Sequence, residues 1–462
     1  MSHAVKLRNL ASTWTSGARS FLGGNGDGVA GKILRGGATS AGVILVSMVV
    51  GLLNHVLLSR TLGASDYGRY VILLGWALAL SVPAAMGLDG TALRYVPKYF
   101  DEGNTRSLRQ LTAFITSAQL LGIVMAGAAL FALRSWSPSL IANATLSEIG
   151  WMVLLIGASI VMGTLSSFFF GIKQVFSAQI YLQGLRPLLT LGATGMVVLI
   201  GGDITSEIAI AVTALSAAGA LVAQLVHFAL VFLRGPARGK PTTDRRQWFS
   251  FSGYSMLGAI CQQALTQTPV ILLGALSTTK EAGQFAVSSR LSSLITVGMS
   301  VFGSIVFPMI ASAHEQKNRA ALVRISLVNA RLSTAVAAAA VLFFLVAGRP
   351  VLALFGGEFG QAYLVLQVLL CGTFFNAFTG ASAALLAMTD RINFTVQAMV
   401  VGFVVFLILA LTLAPRHGAL GAAIAASAGV VISNAIMVWR IRNLLGIDCT
   451  ALGLKSDLHD RR

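Results

Sequence analysis

Long apolar runs recur along the whole chain, and short polar stretches separate them. An α-helix rises 1.5 Å per residue, so about 20 apolar residues cross the roughly 30 Å hydrocarbon core of a bilayer. Twelve such runs lie at approximately 39–60, 70–92, 111–133, 149–170, 177–200, 208–233, 249–275, 284–311, 325–347, 361–387, 393–414 and 418–439. The pattern predicts an all-α membrane protein of about twelve transmembrane helices, with no soluble domain in its short loops.

Composition supports a membrane protein and changes how the net charge is interpreted. Hydrophobic residues make up 56% of the chain and charged residues only 11%, whereas soluble proteins carry roughly a quarter charged residues. The formal charge of +17 would suggest nucleic acid in a soluble protein. Here 25 of the 33 basic residues fall on one side of the predicted helices, which is typical of cytoplasmic loops. We therefore expect an inner-membrane, multi-pass protein with both termini cytoplasmic, surrounded by lipid and without a nucleic-acid partner.

The same pattern divides the chain into five parts. We expect a cytoplasmic N-terminal segment at 1–37, a six-helix bundle at 38–233, a cytoplasmic linker at 234–248, a second six-helix bundle at 249–442 and a cytoplasmic tail at 443–462. The N-terminal segment fits either an amphipathic interfacial helix or a mobile tail. The three cysteines have no metal-ligand spacing, so we expect neither a disulfide framework nor a metal site, and no cofactor.

The two predicted bundles are weakly alike at a shift of 215 residues. Asp66–Tyr70 corresponds to Glu281–Phe285, and the polar loop 95–109 corresponds to 310–324. Six helices are an even number, so both repeats enter the bilayer in the same sense, related by an axis along the membrane normal. This arrangement favours alternating access at the interface of the bundles over the alternative of a static bundle.

Several motifs carry a resemblance to a known family. Leu57–Gly63 followed by Tyr67–Tyr70, Gly87–Val96, Ser288–Ser292 and Val306–Pro308 resemble, in order and spacing, the Wzx-type polysaccharide and oligosaccharide flippases. These belong to the multidrug/oligosaccharidyl-lipid/polysaccharide exporter (MOP) superfamily, which also contains the MATE drug exporters and the peptidoglycan-precursor flippases.

The resemblance implies a MOP/MATE-like fold without enzymatic activity. It implies translocation of a polyprenyl-diphosphate-linked oligosaccharide across the inner membrane, for O-antigen, capsule or exopolysaccharide synthesis. Other polysaccharide assembly proteins are then possible partners.

Two arginines inside predicted helices are candidates for contact with an anionic substrate. An arginine at the centre of a membrane helix costs about 2.5–3.5 kcal/mol on insertion scales, so it persists only with a partner or in a wet cavity. Arg186 lies near mid-membrane, and α-helical spacing places Gln183 and Gln179 on its face. Arg290 lies nearer the outer end of its helix. Packing partnerships for Arg186 and snorkelling for Arg290 are the structural alternatives.

Other polar residues in the spans suggest cavity, gating or coupling roles. Asn54, Gln263 and Gln267 can bind sugar hydroxyls, because amides both donate and accept. His55 can carry a coupling proton, since its unperturbed pKa is near 6.5, although a packing role is the simpler interpretation.

Asp89 and Arg94 lie toward the cytoplasmic end of the second helix, where gating or ion coupling is as reasonable as substrate contact.

Three other functions were weighed against the flippase. A MATE-like multidrug or small-molecule antiporter is the alternative, but such a cavity is expected to be apolar or acidic. Asp89 is the only clear buried carboxylate here, which favours an anionic cargo. A membrane glycan enzyme would need a longer outward loop than this chain offers. A scaffolding protein would not need arginines within its spans.

Overall fold

The computed structural model describes residues 29–233, 239, 245–389 and 391–453, and these form a helical protein. The predicted N-terminal segment therefore lies mostly outside the described residues, as do most of the linker and the end of the tail. The described α-helices are α1 Val29–Ala85, α2 Leu88–Asp101, α3 Thr105–Trp136, α4 Leu146–Gly171, α5 Val175–Gln179, α6 Arg186–Leu199, α7 Ser206–Phe228, α8 Arg245–Leu276, α9 Thr279–Glu315, α10 Arg319–Ala353, α11 Tyr363–Phe378, α12 Ser382–Met388 and α13 Ile392–Leu445. Short π-helical turns cover Ile180–Leu185 and Ala229–Leu233, and 3-10 turns cover Pro138–Ile141 and Gly357–Ala362.

The predicted membrane architecture is confirmed in this part of the chain. Eight of its helical stretches are long and apolar enough to cross a bilayer. Two of these, in α1 and α13, each contain two predicted spans, because the backbone leaves the helical region at Gly63 and at Gly418. Helices α8 and α9 contain the seventh and eighth predicted spans. The described helices thus account for all twelve.

The two halves meet in a contact that follows the 215-residue repeat. A Cβ at Gly68 would overlap the carbonyl oxygen of Thr279, and a Cβ at Gly283 would lie 2.6 Å from that of Ala64. Gly68 corresponds to Gly283 and Ala64 to Thr279 at the predicted shift. Each half therefore presents the same glycine to the same backbone position of the other, as expected for repeats related by a two-fold axis.

The halves are also joined by an aromatic cluster between α2 and the start of α8. Trp248 is fully buried, donates from Nε1 to the Tyr99 hydroxyl at 3.2 Å, and packs edge-on against Tyr95. Helix α8 begins at Arg245, earlier than the predicted span, and its first turn packs into the core of the first half. The second half is thus anchored to the first at its entry point.

After α13, residues 446–453 fold back onto the second half. Asp448 pairs with Arg442 at 2.9 Å, and the Ala451 amide donates to the Phe378 carbonyl at 3.0 Å. Cys449 is buried here, and burial raises the pKa of its thiol to about 12. Because the thiolate is the reactive form, this cysteine is inert at neutral pH.

The structure corrects the expectation that Asp89 is the only buried carboxylate, because a second one, Glu148, holds one end of the first half together. Glu148 is 1% exposed and pairs with Arg69 at 2.8 Å. It also accepts from the Ser206 hydroxyl at 3.3 Å and from the Thr145 amide at 2.8 Å in a capping box of α4. One side chain therefore ties α1, α4 and α7 together.

We expect Glu148→Ala to destabilise the first half by about 3 kcal/mol, because it leaves Arg69 half-buried without its counter-ion. Thermal unfolding of the purified protein in detergent measures the change. Asp203→Ala, at an exposed acidic residue of the neighbouring outer loop, is the matched control and should unfold as the wild type does. Equal transitions for both variants would contradict a stabilising role for Glu148.

Candidate functional site

The candidate site begins with the bend of α1 at Gly63. Its φ of 72° and ψ of 174° suit a residue without a Cβ and end the first helical stretch of α1. In a straight helix His55 and Tyr67 would lie about 18 Å apart. Instead the His55 Nδ1 and the Tyr67 hydroxyl are 3.1 Å apart and the two rings meet edge to face. The bend thus turns Tyr67 back onto His55.

Arg290 completes this group from the other half. Its guanidinium Nη2 is in hydrogen-bond contact with the His55 Nε2. A guanidinium only donates, so Nε2 must accept, and a neutral imidazole then carries its proton on Nδ1 and donates it to Tyr67. The hydrogen bonding therefore assigns a neutral His55 at the junction of α1 and α9. Both His55 and Tyr67 are buried.

Arg186 approaches the same region from the first half. Its Nη1 is 3.4 Å from the hydroxyl of Ser159 on α4. Tyr70 is buried one turn after Tyr67 and forms a 3.1 Å hydrogen bond with Thr213 on α7. It lies within electrostatic range of both Arg186 and Arg290. Two cations from opposite halves are therefore found in the neighbourhood of one tyrosine.

No carboxylate of the described residues neutralises either arginine. The ion pairs found there join Arg69 to Glu148, Lys280 to Glu358 and Arg442 to Asp448. The groups around the two arginines are neutral hydroxyls and an imidazole. A pair of guanidinium groups with neutral donors beside them is suited to an anion with several oxygens, which can accept from both.

The polar stripe expected along one face of the fifth span is altered by its winding. Residues Ile180–Leu185 form a π-helical turn, which lies between Gln179 and Arg186 and contains Gln183. A π turn advances each residue by less than the 100° of an α-helix, so the α-helical spacing behind our expectation does not apply. Both glutamines are half-buried. Their role in a cavity stays a prediction.

The remaining amide candidates are Gln263 and Gln267, which lie at the junction of the halves, and Asn54, which is buried in α1. Gln263 donates to the Leu78 carbonyl at 3.2 Å, and the Gln267 Oε1 lies beside Gly75, so both face α1 across the junction of the halves. Asn54 is 6% exposed, and its Oδ1 has no hydrogen-bond partner among the described residues.

The two gating candidates, Asp89 and Arg94, have different surroundings. Asp89 accepts from the Thr164 hydroxyl at 2.5 Å, and Thr164 accepts from Gln119 at 2.5 Å, so this chain lies inside the first half. Arg94 instead lies over the ring of Phe251 on α8, with its guanidinium carbon 4.5 Å from the ring centroid. Only Arg94 contacts the second half directly.

The family model for polysaccharide biosynthesis proteins matches residues 33–314, well over half of the chain. The chain belongs to the polysaccharide biosynthesis protein family. The resemblance noted in the sequence is thereby confirmed. No curated protein sequence matches closely enough to add a named relative.

Solved structures show the fold of this family member. An inward-facing multidrug resistance MATE family transporter of the MOP superfamily matches with a TM-score of 0.66 at 13% identity, covering 88% of this chain and 98% of that one. The lipid II flippase MurJ in an inward closed conformation matches with a TM-score of 0.63 at 13% identity, covering 87% of each chain. A mutant of the Vibrio cholerae MATE transporter VcmN matches with a TM-score of 0.54 at 14% identity, covering 88% and 98%. The MOP/MATE-like fold is thus confirmed.

Sequence reasoning missed three residues of this family member's candidate site. Tyr67 and Tyr70 were noted only as part of a motif, although a spacing of three places them on one helix face and their burial in a membrane needs hydrogen-bond partners. Thr213 carries no local signal, because it is one of many small residues in α7.

Beyond the glycine contact, side chains also join the two halves at this end. The Ser65 and Thr279 hydroxyls are 3.0 Å apart, and the Glu358 carboxylate accepts from the Ala64 amide at 3.2 Å. The Arg60 Nε donates to the Leu354 carbonyl at 2.6 Å. Each of these contacts joins the first half to the second. The two halves are therefore held together at this end.

We expect the double variant Ser65→Cys, Thr279→Cys to form a disulfide that blocks transport until it is reduced, since these hydroxyls are in contact across the halves. Cys261 and Cys371 should first be replaced by alanine, whereas the inert Cys449 can remain. Gel mobility under non-reducing conditions measures the cross-link.

Adding Gly68→Val to that double variant is the informative comparison. The new side chain would overlap the Thr279 carbonyl oxygen, so the outer ends cannot approach and the disulfide should form at least several-fold more slowly. Equal cross-linking rates with glycine and valine would contradict the proposed role of this contact in closure.

Proposed function

We propose that this protein translocates a polyprenyl-diphosphate-linked oligosaccharide from the inner to the outer leaflet of the bacterial inner membrane, with both termini in the cytoplasm. The glycan is destined for a surface polysaccharide, and other assembly proteins are the expected partners. The observation that carries the proposal is that Arg186 and Arg290, one in each half, contact only the Ser159 hydroxyl and the His55 imidazole and have no neutralising carboxylate among the described residues. Membership of the polysaccharide biosynthesis protein family supports it.

The proposed mechanism follows from where the charges lie. A diphosphate carries negative charge and several acceptor oxygens, so it can accept from Arg186 and Arg290 together. An anion held this way links the two halves and offsets the repulsion of the cations. Separation of the halves at the outer face would then pull the arginines apart and release the anion there. The isoprenoid chain stays in the surrounding lipid.

Deletion of the gene separates the flippase from the multidrug antiporter. We expect a lipid-linked oligosaccharide to accumulate on the cytoplasmic leaflet of the deletion strain, where its glycan is protected from an externally added glycosidase. Mass spectrometry of extracted lipids identifies it. Accumulation of none would favour the antiporter.

We expect Arg186→Ala and Arg290→Ala each to lower glycan export at least ten-fold while the protein stays folded and inserted. Losing one hydrogen bond to a charged group costs about 1.5–3 kcal/mol, or roughly ten- to a hundred-fold in binding. Flipping of the labelled lipid in proteoliposomes measures the effect. Arg324→Ala, at an exposed arginine of α10, is the control and should behave as the wild type. Normal export by both test variants would exclude the cationic site.

We further propose that His55 couples translocation to protons. As a neutral imidazole it accepts from Arg290, which joins the two halves, and donates to Tyr67 within α1. Protonation of Nε2 would replace this hydrogen bond with the repulsion of two cations and would loosen the junction of α1 and α9. Asp89 and Arg94 are proposed to take part in gating nearer the cytoplasmic side.

We expect His55→Gln to make transport independent of pH between about 5.5 and 8. Glutamine can accept from Arg290 and donate to Tyr67 but cannot be protonated in this range. The pH profile of lipid flipping is the measurement. The control is His227→Gln, because His227 also contacts a tyrosine hydroxyl, that of Tyr181 at 3.0 Å, but not the arginines. If His55→Gln keeps the wild-type profile, the coupling proposal is wrong.

A further inference from the structure

The second half contains a cavity that the proposed anion site does not use. Its volume is about 390 Å³, within the range of about 300–1,000 Å³ typical of ligand sites. It is lined by α8, α11, α12 and α13, including Pro269, Asn376, Ser382, Phe406 and Asn434.

A break in the tenth span creates this cavity. Helix α11 ends at Phe378, Gly380 adopts a left-handed φ of 65°, and α12 begins at Ser382. Small side chains follow on α12, and a Cβ at Gly402 would lie 2.6 Å from the Gly429 carbonyl oxygen, so the two stretches of α13 pack closely beside the break. The space is thus bounded by backbone that close packing fixes in place.

One wall of the cavity is a fixed array of neutral polar groups. The Asn434 Oδ1 accepts from the hydroxyls of Thr379 at 3.0 Å and Ser382 at 3.4 Å. Its Nδ2 donates to the Asn376 Oδ1 at 3.1 Å. The Nδ2 of Asn376 has no acceptor among the described residues, so this donor remains available to a ligand.

The lining selects the class of ligand by its charge. No ionisable side chain lines the cavity among the described residues, so a charged occupant would lose its hydration without compensation. A purely apolar chain would leave the Asn376 amide unsatisfied. A ligand with both hydrogen-bonding groups and an apolar face fits best, because Phe406 and Met399 line the cavity together with the amides. Uncharged sugars have this combination.

The cavity is close to the junction of the halves but separate from it. Gln267 and Pro269 are two residues apart on α8, about 200° around the helix. Gln267 faces α1, whereas Pro269 lines the cavity. One helix, about 10 Å in diameter, therefore lies between the surface that carries the glutamines and this cavity.

We propose that this cavity binds an uncharged sugar unit of the transported glycan and disfavours acidic sugars. The proposal rests on the flippase function and adds a division of roles to it. The arginines at the junction hold the diphosphate, and the amides of the second half recognise a neutral sugar. Glycans that carry a uronic acid at the recognised position would then be poor substrates.

The test is saturation-transfer NMR of the purified protein in nanodiscs, with methyl glycosides of glucose and N-acetylglucosamine as neutral probes and methyl glucuronide as the acidic probe. We expect transfer to at least one neutral probe and at least five-fold less to the glucuronide. No transfer to either neutral probe, or equal transfer to the acid, would overturn the proposal.

Variants locate the binding. Ala426→Phe fills the cavity and Asn376→Ala removes its free amide, so both should reduce the neutral-probe signal at least five-fold. Ile424→Phe, on an exposed position of the same helix, is the matched control and should keep it. Wild-type signals in both test variants would place the sugar elsewhere and contradict the inference, and Asn376→Ala remains decisive if Ala426→Phe misfolds.

Failure of this inference can be told apart from failure of the flippase proposal. The double variant Arg186→Ala, Arg290→Ala should keep the sugar signal and lose lipid flipping. If flipping depends on the arginines while the cavity variants bind sugar normally, only the sugar site is wrong. If sugar binds in the cavity but flipping survives loss of both arginines, the diphosphate site is wrong.

Discussion

The placement of two guanidinium groups within membrane-spanning helices is the constraint on which the rest of this account depends. Arg186 is half-buried and Arg290 is exposed. Such a charge is tolerated only if something nearby stabilises it. Most buried arginines are stabilised by a carboxylate, as Arg69 is by Glu148 at the outer end of the first half. Arg186 and Arg290 have only hydroxyls and a neutral imidazole around them in the described residues. The positive charge therefore remains available to an anion.

The outer contact between the repeats explains how these residues come together. The pairing of Gly68 with Gly283 brings the second stretch of α1 against α9 at backbone distance. Tyr67 and Tyr70 flank one glycine, and Arg290 lies two turns beyond the other. The two repeats differ at the polar residues of the candidate site. The position equivalent to Arg290 is Gly75, and the position equivalent to His55 is Val270. A nearly symmetric scaffold thus carries one asymmetric charged junction.

The sequence was informative about features that depend on composition and much less so about those that depend on winding or long-range contact. Apolar run length is a local property, so the twelve spans and their division into repeats could be predicted. The π turn at Ile180–Leu185 changes the hydrogen-bond pattern of the helix but has no signature in the composition. The predicted stripe of Gln179, Gln183 and Arg186 therefore assumed an α-helical geometry that the structure does not have there.

Contacts between residues far apart in the chain were the hardest to predict from the sequence. The hydrogen bond between His55 and Arg290 joins residues that are 235 positions apart in the sequence. The sequence around each residue gives no indication of its partner. The cavity of the second half depends on a left-handed Gly380, which is one glycine among 48. The placement of the two arginines within spans could be predicted from hydropathy, but their proximity to Tyr70 could not, because it requires the packing of the two halves.

The most direct measurement is native mass spectrometry of the purified protein with a polyprenyl diphosphate and with the uncharged polyprenol of the same chain length. If the two arginines form an anion site, the diphosphate should remain bound and the polyprenol should not. The preference should disappear when both arginines are replaced by alanine. Equal retention of the two lipids by the wild type, or an unchanged preference in the double variant, would contradict the account.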